Sequence, residues 1–583
     1  MGKATYLFWL LFGNIIFVSS AQNVIPPHVK ERIDSLVATV MEVEHVPAFG
    51  LSIVKKNGDL SYNTGYGLRD RENNLSADNN TLFAIGSITK SFTAILVVKY
   101  LSENHPTLGG SVLDVPIQVL APDYGFILGD KYRSEKITFR DLLAHRVCTL
   151  PESAGFWVQA LTDEKDFYYR QRYAPDWCGF RDGFLYNNGL IGMAGHIMAH
   201  MANSTYDEML LGLLTSIGMS DTTLIKETDD HDNMMQRALP YLWKDDQLIR
   251  YNSELLKTLI VANAAGGLLS SANDMAKYMQ FHLNKGKVGT EQIVSEEAMS
   301  WLSTPANLVY YGIAKTEADP DAVPYTGVGA GLGLVITVYD GWVKNWHDGY
   351  IPPFSSLMNL YPDLGLGIFM TSSGPGHLRI LTQELLNNAI FEVLQANVTL
   401  PEVGTFPDKL ATPLSLRLDD QNTRLRNVLA FNPAKKSIAP KISLEEAVGT
   451  FGSGLNGELT LSLKNNSAGV QQLHFEYGKV LRAWLNRTSP STFSVTSWDS
   501  DYWMMTWSTD GGAITMTLEF EDIDTIHFLD AGQEVTMPFK RGETVADLPE
   551  IPWETEPCKN GGIREIGSLG PVLILGMFAH LYV

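Results

Sequence analysis

The sequence predicts an α+β fold, in which a large domain with an antiparallel sheet flanked by helices is followed by a small all-β barrel domain. Residues 27–395 mix short strand patterns with long amphipathic helix patterns, which is typical of α/β or α+β domains. Residues 446–540 contain segments in which apolar and polar residues alternate, as in a small antiparallel barrel or sandwich. Five prolines interrupt residues 400–440, between these two regions. The 583 residues are also too many for one compact core, so two folded domains are expected.

The domain boundaries follow from these changes in pattern. We predict a first domain over residues 22–400, a linker over residues 401–441, a barrel over residues 442–545 and a tail over residues 546–583.

Strand patterns locate the central sheet of the first domain. Residues 48–54 and 60–63 flank an Asn-Gly turn, which predicts a hairpin. Four further strand patterns follow one another between residues 333 and 370, with Gly and Asp at the turns. Two of these strands flank His347, so we expect this histidine at a strand end or in a turn.

The first 21 residues have the pattern of a secretory signal peptide. Lys3 precedes an apolar run over residues 6–18, and the small residues 19–21 form a cleavage-like site. A membrane anchor needs about 20 apolar residues, so this shorter run favours secretion. We therefore expect a secreted, extracellular protein whose mature chain begins at Gln22.

The glycosylation sites and the cysteines agree with export. In an oxidising compartment Cys148 could bridge Cys178 and leave Cys558 over, and none of the cysteine spacings is that of a metal site. Acceptor sequons for N-glycosylation occur at Asn74, Asn79, Asn203, Asn397, Asn465 and Asn486.

The charge and the C-terminus restrict the partners. A formal net charge of −21 at pH 7 argues against nucleic acid, because a phosphate backbone would repel the protein. The charge suits a calcified or otherwise cation-rich extracellular matrix, and solubility alone explains it equally well. Residues 567–583 are largely apolar after a polar stretch, which is the pattern either of a lipid-anchor signal with a short spacer or of a buried or disordered tail.

Ser87 and Lys90 carry the most informative pattern for chemistry. They stand three residues apart at the start of a helix pattern, and this spacing puts both side chains on one helical face. A serine hydroxyl becomes a nucleophile when a base takes its proton, and a lysine desolvated in a pocket can assist. Ser-x-x-Lys recurs by chance, but here Gly86 precedes it and an apolar helix over residues 91–102 follows it, which places the pair between a turn and the core.

Tyr186 and Asn188 form a second element, just before another helix pattern. If Tyr186 faces Ser87 and Lys90, the lysine cation favours the phenolate and makes Tyr186 a suitable general base. Asn188 would then bind a substrate carbonyl or Lys90. Taken alone, such a tyrosine is more often a buried residue with a hydrogen-bonded hydroxyl.

His347, Gly349 and Tyr350 form a third element between two strand patterns. A strand edge here could offer the backbone N–H of Tyr350 beside that of Ser87 as an oxyanion hole, with His347 adding charge or a hydrogen bond. Taken alone, a histidine in a turn is more often polar surface.

In this order and spacing, the three elements resemble the serine β-lactamase and DD-peptidase superfamily, in particular the class C β-lactamase-like esterases and carboxypeptidases. Residues 137–145 and 264–276 are similar to two further segments of that family, so the likeness covers about residues 27–395. The C-terminal strands are similar to the small barrel often appended to these hydrolases. The resemblance implies a β-lactamase-like domain with catalytic residues Ser87, Lys90 and Tyr186 and substrate-binding residues Asn188, His347, Gly349 and Tyr350.

Two departures from the family pattern concern the pocket. After His145 the family usually continues Thr-Ser-Gly-Leu-Pro, whereas this chain has Arg146, Val147 and Cys148. Pro353 stands where relatives usually have a glycine. These changes bear on the substrate class more than on the nucleophile.

The resemblance implies that Ser87 attacks an ester or amide carbonyl of a small-molecule or peptide substrate and that water releases the acyl-enzyme, without a metal or an organic cofactor. The alternative is a non-catalytic extracellular matrix protein that retains the fold, because β-lactamase-like proteins of the gigasin type occur in mollusc shell matrices. His196 and His200 stand four apart on a helix pattern, and we interpret them as ordinary helix histidines rather than metal ligands.

Overall fold

The computed structural model describes residues 25–553, except residues 59, 151–153, 226–235, 309–325, 376–379, 396–440, 511–515, 531–532 and 535–537. The predicted signal peptide, most of the predicted linker and most of the predicted tail therefore lie outside the described residues, as do Asn397 and Cys558.

Helices and strands are interspersed along the first part of the chain, whereas strands dominate the last part. The α-helices, in chain order, are α1 Pro27–Val43, α2 Thr89–Asn104, α3 Ile117–Leu120, α4 Lys131–Lys136, α5 Phe139–Leu143, α6 Ala154–Trp157, α7 Glu164–Arg170, α8 Asn188–Met201, α9 Tyr206–Ile217, α10 Asn263–Gly266, α11 Ala272–Leu283, α12 Glu296–Leu302, α13 Ile380–Gln395, α14 Leu444–Ala447 and α15 Trp503–Asp510. The strands are β1 Ala48–Lys55, β2 Ser61–Asp70, β3 Leu75–Ser76, β4 Phe83–Ala84, β5 Thr223–Leu224, β6 Tyr241–Lys244, β7 Gln247–Arg250, β8 Leu268–Ser270, β9 Lys287–Val288, β10 Glu291–Gln292, β11 Thr326–Ala330, β12 Val335–Tyr339, β13 Trp342–Ile351, β14 Phe354–Tyr361, β15 Leu366–Ser372, β16 Gly449–Ser453, β17 Gly457–Asn465, β18 Gln471–Tyr477, β19 Leu481–Arg487, β20 Thr492–Trp498, β21 Met516–Phe520, β22 Thr525–Asp530, β23 Gln533–Glu534 and β24 Phe539–Arg541. Two 3-10 helices, Gly86–Ile88 and Ser253–Ala262, matter for the site.

The first domain is built on an antiparallel sheet with the strand order β11-β12-β13-β14-β15-β1-β2-β3. β1 and β2 form the predicted hairpin, and β1 also pairs with β15, which joins the two ends of the domain in one sheet. One face of the sheet packs against α1 and α13, and the other packs against α11 and the helical region that contains α2 and α8. This arrangement confirms the predicted antiparallel sheet flanked by helices.

The predicted place of His347 is wrong. β13 runs without a break through this residue, and His347 pairs with Met358 of β14 in the middle of the strand. The strand can continue because the pairing of β13 with β14 extends without a bulge from Asn345 opposite Leu360 to Ile351. The histidine is therefore held by a rigid strand rather than by a turn.

The second domain is a closed eight-stranded antiparallel barrel, which is one of the two architectures that the alternating pattern allows. Its order is β21-β20-β19-β18-β17-β16-β24-β22, and pairing between β21 and β22 closes it. In β17, for example, Leu459 and Leu461 are buried in the barrel core, whereas Glu458 is exposed.

Among the described helices, none is long and apolar enough to cross a membrane.

An ion pair lies in the interior between the sheet and α13. Nζ of Lys344 on β13 is 3.0 Å from each carboxylate oxygen of Glu384 on α13, and both side chains are buried. Burial lowers the pKa of Lys344. Removing two charges from water costs several kcal/mol per ion unless each is paired, so each charge is tolerated only while α13 stays on the sheet.

We expect Glu384→Ala to lower the free energy of unfolding by about 3 to 5 kcal/mol, because it leaves the Lys344 ammonium buried without its carboxylate. Urea titration, followed by a spectroscopic signal from the first domain, measures this loss in the free energy of unfolding. The double variant Lys344→Met/Glu384→Leu removes both charges and should lose much less. Equal losses in the single and double variants would contradict this account of the pair.

Candidate active site

Ser87 and Lys90 meet where α2 begins. Ser87 lies in the 3-10 turn Gly86–Ile88 and is half-buried, whereas Lys90 is fully buried. Lys90 Nζ is 2.8 Å from Ser87 Oγ and 2.8 Å from the carbonyl oxygen of Ala265 in α10. The lysine therefore holds its nitrogen directly beside the hydroxyl that would lose a proton.

The turn that presents Ser87 depends on Gly86 and Thr89. Gly86 has a φ of +52°, in the left-handed region that favours glycine, and a Cβ there would lie 2.8 Å from the backbone nitrogen of Tyr350. Thr89 Oγ1 donates to the carbonyl of Gly86 at 2.7 Å and accepts from the backbone N–H of Leu268 at 3.2 Å. The turn is thereby fixed both to α2 and to β8.

Gly349 lets strand β13 approach the same turn. A Cβ on Gly349 would overlap the carbonyl oxygen of Ile85, and Ser356 of β14 donates to that same oxygen at 2.8 Å. This close approach brings the backbone nitrogen of Tyr350 next to the turn that carries the N–H of Ser87. Two backbone donors beside a nucleophile are what an oxyanion hole requires.

Tyr186 reaches the pair from the beginning of α8. The side chain of Asn187 caps this helix by accepting a backbone N–H at 2.9 Å, and Asn188 is its first residue. The ring of Tyr186 is buried, and its centroid is 4.8 Å from Lys90 Nζ. The structure thus brings Tyr186 to the pair of Ser87 and Lys90 and places half-buried Asn188 in the adjoining turn.

His145 belongs to this cluster, although no sequence pattern assigned it a role. Its ring stacks on that of Tyr186 with a centroid distance of 4.4 Å, and its Nδ1 accepts the backbone N–H of Asn187 at 3.1 Å. Burial, reinforced by the nearby charge of Lys90, holds the pKa of His145 well below its usual range. The family-like segment over residues 137–145 was the signal that could have found it, but that likeness assigns no contact to Tyr186.

His347 also lies near Tyr186, at a ring centroid distance of 6.3 Å. Its Nδ1 is 2.5 Å from the carbonyl oxygen of Asp348, and because a carbonyl only accepts, Nδ1 carries the proton. Burial, reinforced by the charge of Lys90, lowers the pKa of His347 to about 3. Of the two roles expected for this histidine, the structure favours a hydrogen bond over a charge.

A disulfide and an arginine fix the loop that departs from the family pattern. Cys148 and Cys178 are joined, with their Cα atoms 5.3 Å apart. Arg133 donates to the carbonyl of Cys148 at 3.2 Å and to that of Cys178 at 2.5 Å, and it pairs with Asp176 at 2.9 Å. The segment that leads from His145 to Cys148, beside the cluster, is therefore tied at Cys148 to Cys178 and to Arg133.

The other predicted sites lie elsewhere. His196 has its Nδ1 2.8 Å from the hydroxyl of Tyr124, and no three histidine, cysteine or carboxylate side chains are grouped as metal ligands among the residues that the structure describes. Of the sequon asparagines, Asn79 is half-buried, Asn397 lies outside the described residues, and the exposed ones are Asn74, Asn203, Asn465 and Asn486.

We expect Gly349→Ala to slow the reaction of Ser87 with an acylating or phosphonylating probe more than about 100-fold, because the new methyl group would push β13 away from the turn. Gly212→Ala is the matched control, since Gly212 lies in α9 with no neighbouring atom within 4 Å of an added Cβ. Probe reactivity close to wild type in Gly349→Ala would show that the close approach is not needed.

The protonation of Asp348 makes the stability of the folded protein depend on pH. Burial raises the pKa of its carboxyl to about 7, above the ordinary value of 3.8. Between about pH 4 and 7 the folded state keeps a proton on Asp348 that the unfolded state releases, so the contribution of this carboxyl to stability falls as the pH rises through this window.

At pH 8 we expect the free energy of unfolding of Asp348→Asn to exceed that of the wild type by about 4 kcal/mol, with a correspondingly higher unfolding temperature. At pH 4 the variant should match the wild type. Thermal unfolding at the two pH values measures the difference. A constant difference at both pH values would contradict the raised pKa of the Asp348 carboxyl.

Comparisons with known proteins agree with this fold. The Beta-lactamase family model matches residues 33–387. A solved structure described as a class C beta-lactamase superposes with a TM-score of 0.50 at 17% identity, over 64% of this chain and 98% of its own, which supports the fold.

Two curated relatives extend the comparison. The unguisins hydrolase ungD of Aspergillus violaceofuscus is 24% identical over 57% of this chain and 59% of its own length. Gigasin-6 of Magallana gigas is 24% identical over 44% of this chain and 84% of its own length. The chain thus spans less than two thirds of the fungal hydrolase it matches. Because the family model covers most of the first domain, the chain belongs to the beta-lactamase family.

Proposed function

We propose that this protein is a secreted serine hydrolase that forms an acyl-enzyme on Ser87 with an ester or amide substrate. The observation that carries the proposal is the 2.8 Å contact between Lys90 Nζ and Ser87 Oγ at a fully buried lysine. A surface lysine after a capping serine would point into water. Here the lysine is withdrawn from water and directed at the hydroxyl, as activation of a nucleophile requires.

In the acylation step the Ser87 oxygen bonds to the substrate carbonyl carbon while its proton moves to the phenolate of Tyr186. Lys90 stabilises that phenolate, because its ammonium lies close to the Tyr186 ring. The carbonyl oxygen gains negative charge and is held by the backbone N–H groups of Ser87 and Tyr350. Tyr186 then returns the proton to the departing alcohol or amine as the bond to the carbonyl carbon breaks.

Deacylation uses the same groups in the reverse order. Tyr186 takes a proton from water, the water oxygen attacks the acyl carbon, and the Ser87 oxygen leaves and recovers the proton. His145 keeps the ring of Tyr186 in place by stacking on it, and Asn187 is bonded to both the histidine and the helix that follows. No step in this sequence calls for a metal or an organic cofactor.

The groups proposed to bind substrate, His347 and Asn188, suit a small molecule or a peptide. His347 is neutral and offers Nε2 as an acceptor, which suits an N–H or O–H group of the substrate. Asn188 can contribute an amide to a substrate carbonyl. The name of the fungal relative, an unguisins hydrolase, is consistent with hydrolysis but fixes no substrate for this chain.

Export is part of the proposal. The disulfide between Cys148 and Cys178 suits an oxidising compartment, and four of the five described sequon asparagines are exposed, as glycosylation requires. An extracellular matrix containing calcium remains compatible with the net charge of −21.

We expect the secreted wild-type protein to gain the mass of one fluorophosphonate adduct, because the probe reacts with an activated serine. Ser87→Ala should gain none, and intact mass spectrometry reads both. Circular dichroism of the two proteins controls for folding. A folded wild type that takes up no probe would favour the alternative of a non-catalytic matrix protein.

A further inference from the structure

The barrel domain contacts the first domain at Asn252, where a helix begins that continues into α10, and α10 bonds the catalytic lysine. Asn252 is the N-cap of the 3-10 helix Ser253–Ala262, where its side-chain oxygen accepts the backbone N–H of Glu254 at 2.9 Å. The amide nitrogen of the same side chain donates to Asp501 of the barrel domain at 2.9 Å. The backbone N–H of Asn252 also points to the sulfur of Met504, at 3.3 Å. One side chain therefore fixes both the start of this helix and its contact with the barrel.

The capped helix leads into α10, and α10 contacts Lys90. The helix Ser253–Ala262 runs directly into α10, and the carbonyl of Ala265 in α10 accepts from Lys90 Nζ at 2.8 Å. The carbonyl of the preceding residue, Ala264, accepts from Thr93 of α2 at 2.5 Å. Lys90 and Thr93 lie one turn apart on α2, so α10 is bonded to the helix that carries the lysine at two successive carbonyls.

A second contact involves Tyr251 and Tyr350, whose backbone N–H is the second donor of the proposed oxyanion hole. Tyr251 precedes the cap and is fully buried, and its backbone N–H donates to the carbonyl of Pro240 at 2.9 Å. Burial, with further contributions from Tyr350 on β13 and Tyr502 of the barrel domain, raises the pKa of Tyr251 well above its usual range. The side chain of Tyr251 is therefore close to both Tyr350 on β13 and Tyr502 of the barrel domain.

We propose that the barrel domain is a positioning element of the catalytic site. It acts through the bond between Asp501 and Asn252, which caps the helix that leads into α10, where the carbonyl of Ala265 accepts from Lys90. This inference rests on the proposed function, because it assigns the barrel a part in the same acylation step. Asn252 is a positioning residue, since it touches the helix and the barrel but not the nucleophile. The barrel thereby sets where the Ala265 carbonyl holds the ammonium relative to the Ser87 oxygen.

The role of the hydrogen bond between Asn252 and Asp501 can be tested by exchanging the two side chains. Asn252→Asp keeps the oxygen that caps the helix but replaces the donor nitrogen by a second oxygen facing the carboxylate of Asp501. In the double variant N252D/D501N the donor and the acceptor change places, so the hydrogen bond is restored in the opposite direction. Tyr173→Phe is the control, because it removes another bond between the first domain and the C-terminal part of the chain, to the carbonyl of Pro549 just after the barrel, and this bond does not involve α10.

The measurement is the rate of fluorophosphonate labelling at a series of probe concentrations, with thermal unfolding of each variant. We expect N252D to lower the maximal labelling rate about tenfold, without a matching change in the concentration for half-maximal rate, because Lys90 acts on Ser87 rather than on probe binding. The exchange variant should return to within about threefold of the wild type, and Tyr173→Phe should stay within about twofold.

The outcomes separate this inference from the proposed function. A wild type that is labelled at Ser87 together with an N252D variant labelled equally fast would overturn the positioning role alone. Equal loss in N252D and in the exchange variant would also overturn it, because the restored bond would then have no effect. Absence of labelling in the wild type would overturn the proposed function and the positioning role together.

Discussion

The backbone contact between β13 and the turn that carries Ser87 is the constraint on which the site depends. Because Gly349 has no side chain and Ser356 bonds the carbonyl of Ile85, the sheet meets the helical region at van der Waals distance. The N–H of Tyr350 is consequently presented by a paired strand rather than by a loop, and a donor on a rigid element keeps its direction during a reaction. The left-handed turn at Gly86 is the other half of the same contact, since a side chain there would meet the nitrogen of Tyr350.

A positive charge, the ammonium of Lys90, lies buried next to this contact. Lys90 is fully buried, and its ammonium lowers the pKa values of both neighbouring histidines, His145 and His347, which burial already lowers. The two imidazoles are therefore neutral and have defined tautomers: the first accepts a backbone N–H at Nδ1, and the second donates from Nδ1 to a backbone carbonyl. A single cation in a buried place acts most strongly on the nearest group that can become anionic, which here is Ser87 or Tyr186.

The sequence predicted the parts of the fold and of the site that depend on local pattern. The alternation in β17 predicted a small antiparallel barrel or sandwich, and the three-residue spacing of Ser87 and Lys90 predicted that their side chains share one face, because both follow from the period of one element. The place of His347 was predicted wrongly, since only the pairing of β13 with β14 shows that the strand continues through it. His145 and Asn252 were missed for the same reason: their partners, Tyr186 and Asp501, are distant along the chain and are brought to them by tertiary packing.

The central claim is that Ser87 forms a covalent intermediate which water then releases. The most direct measurement is to mix the protein with an activated ester, stop the reaction in acid at a series of times, and map the acyl group by mass spectrometry of the tryptic peptide of residues 72–90. The account predicts that the acyl group appears on Ser87 early and disappears as free acid accumulates. An acyl group found on another residue, or one that stays on Ser87 without turnover, would contradict it.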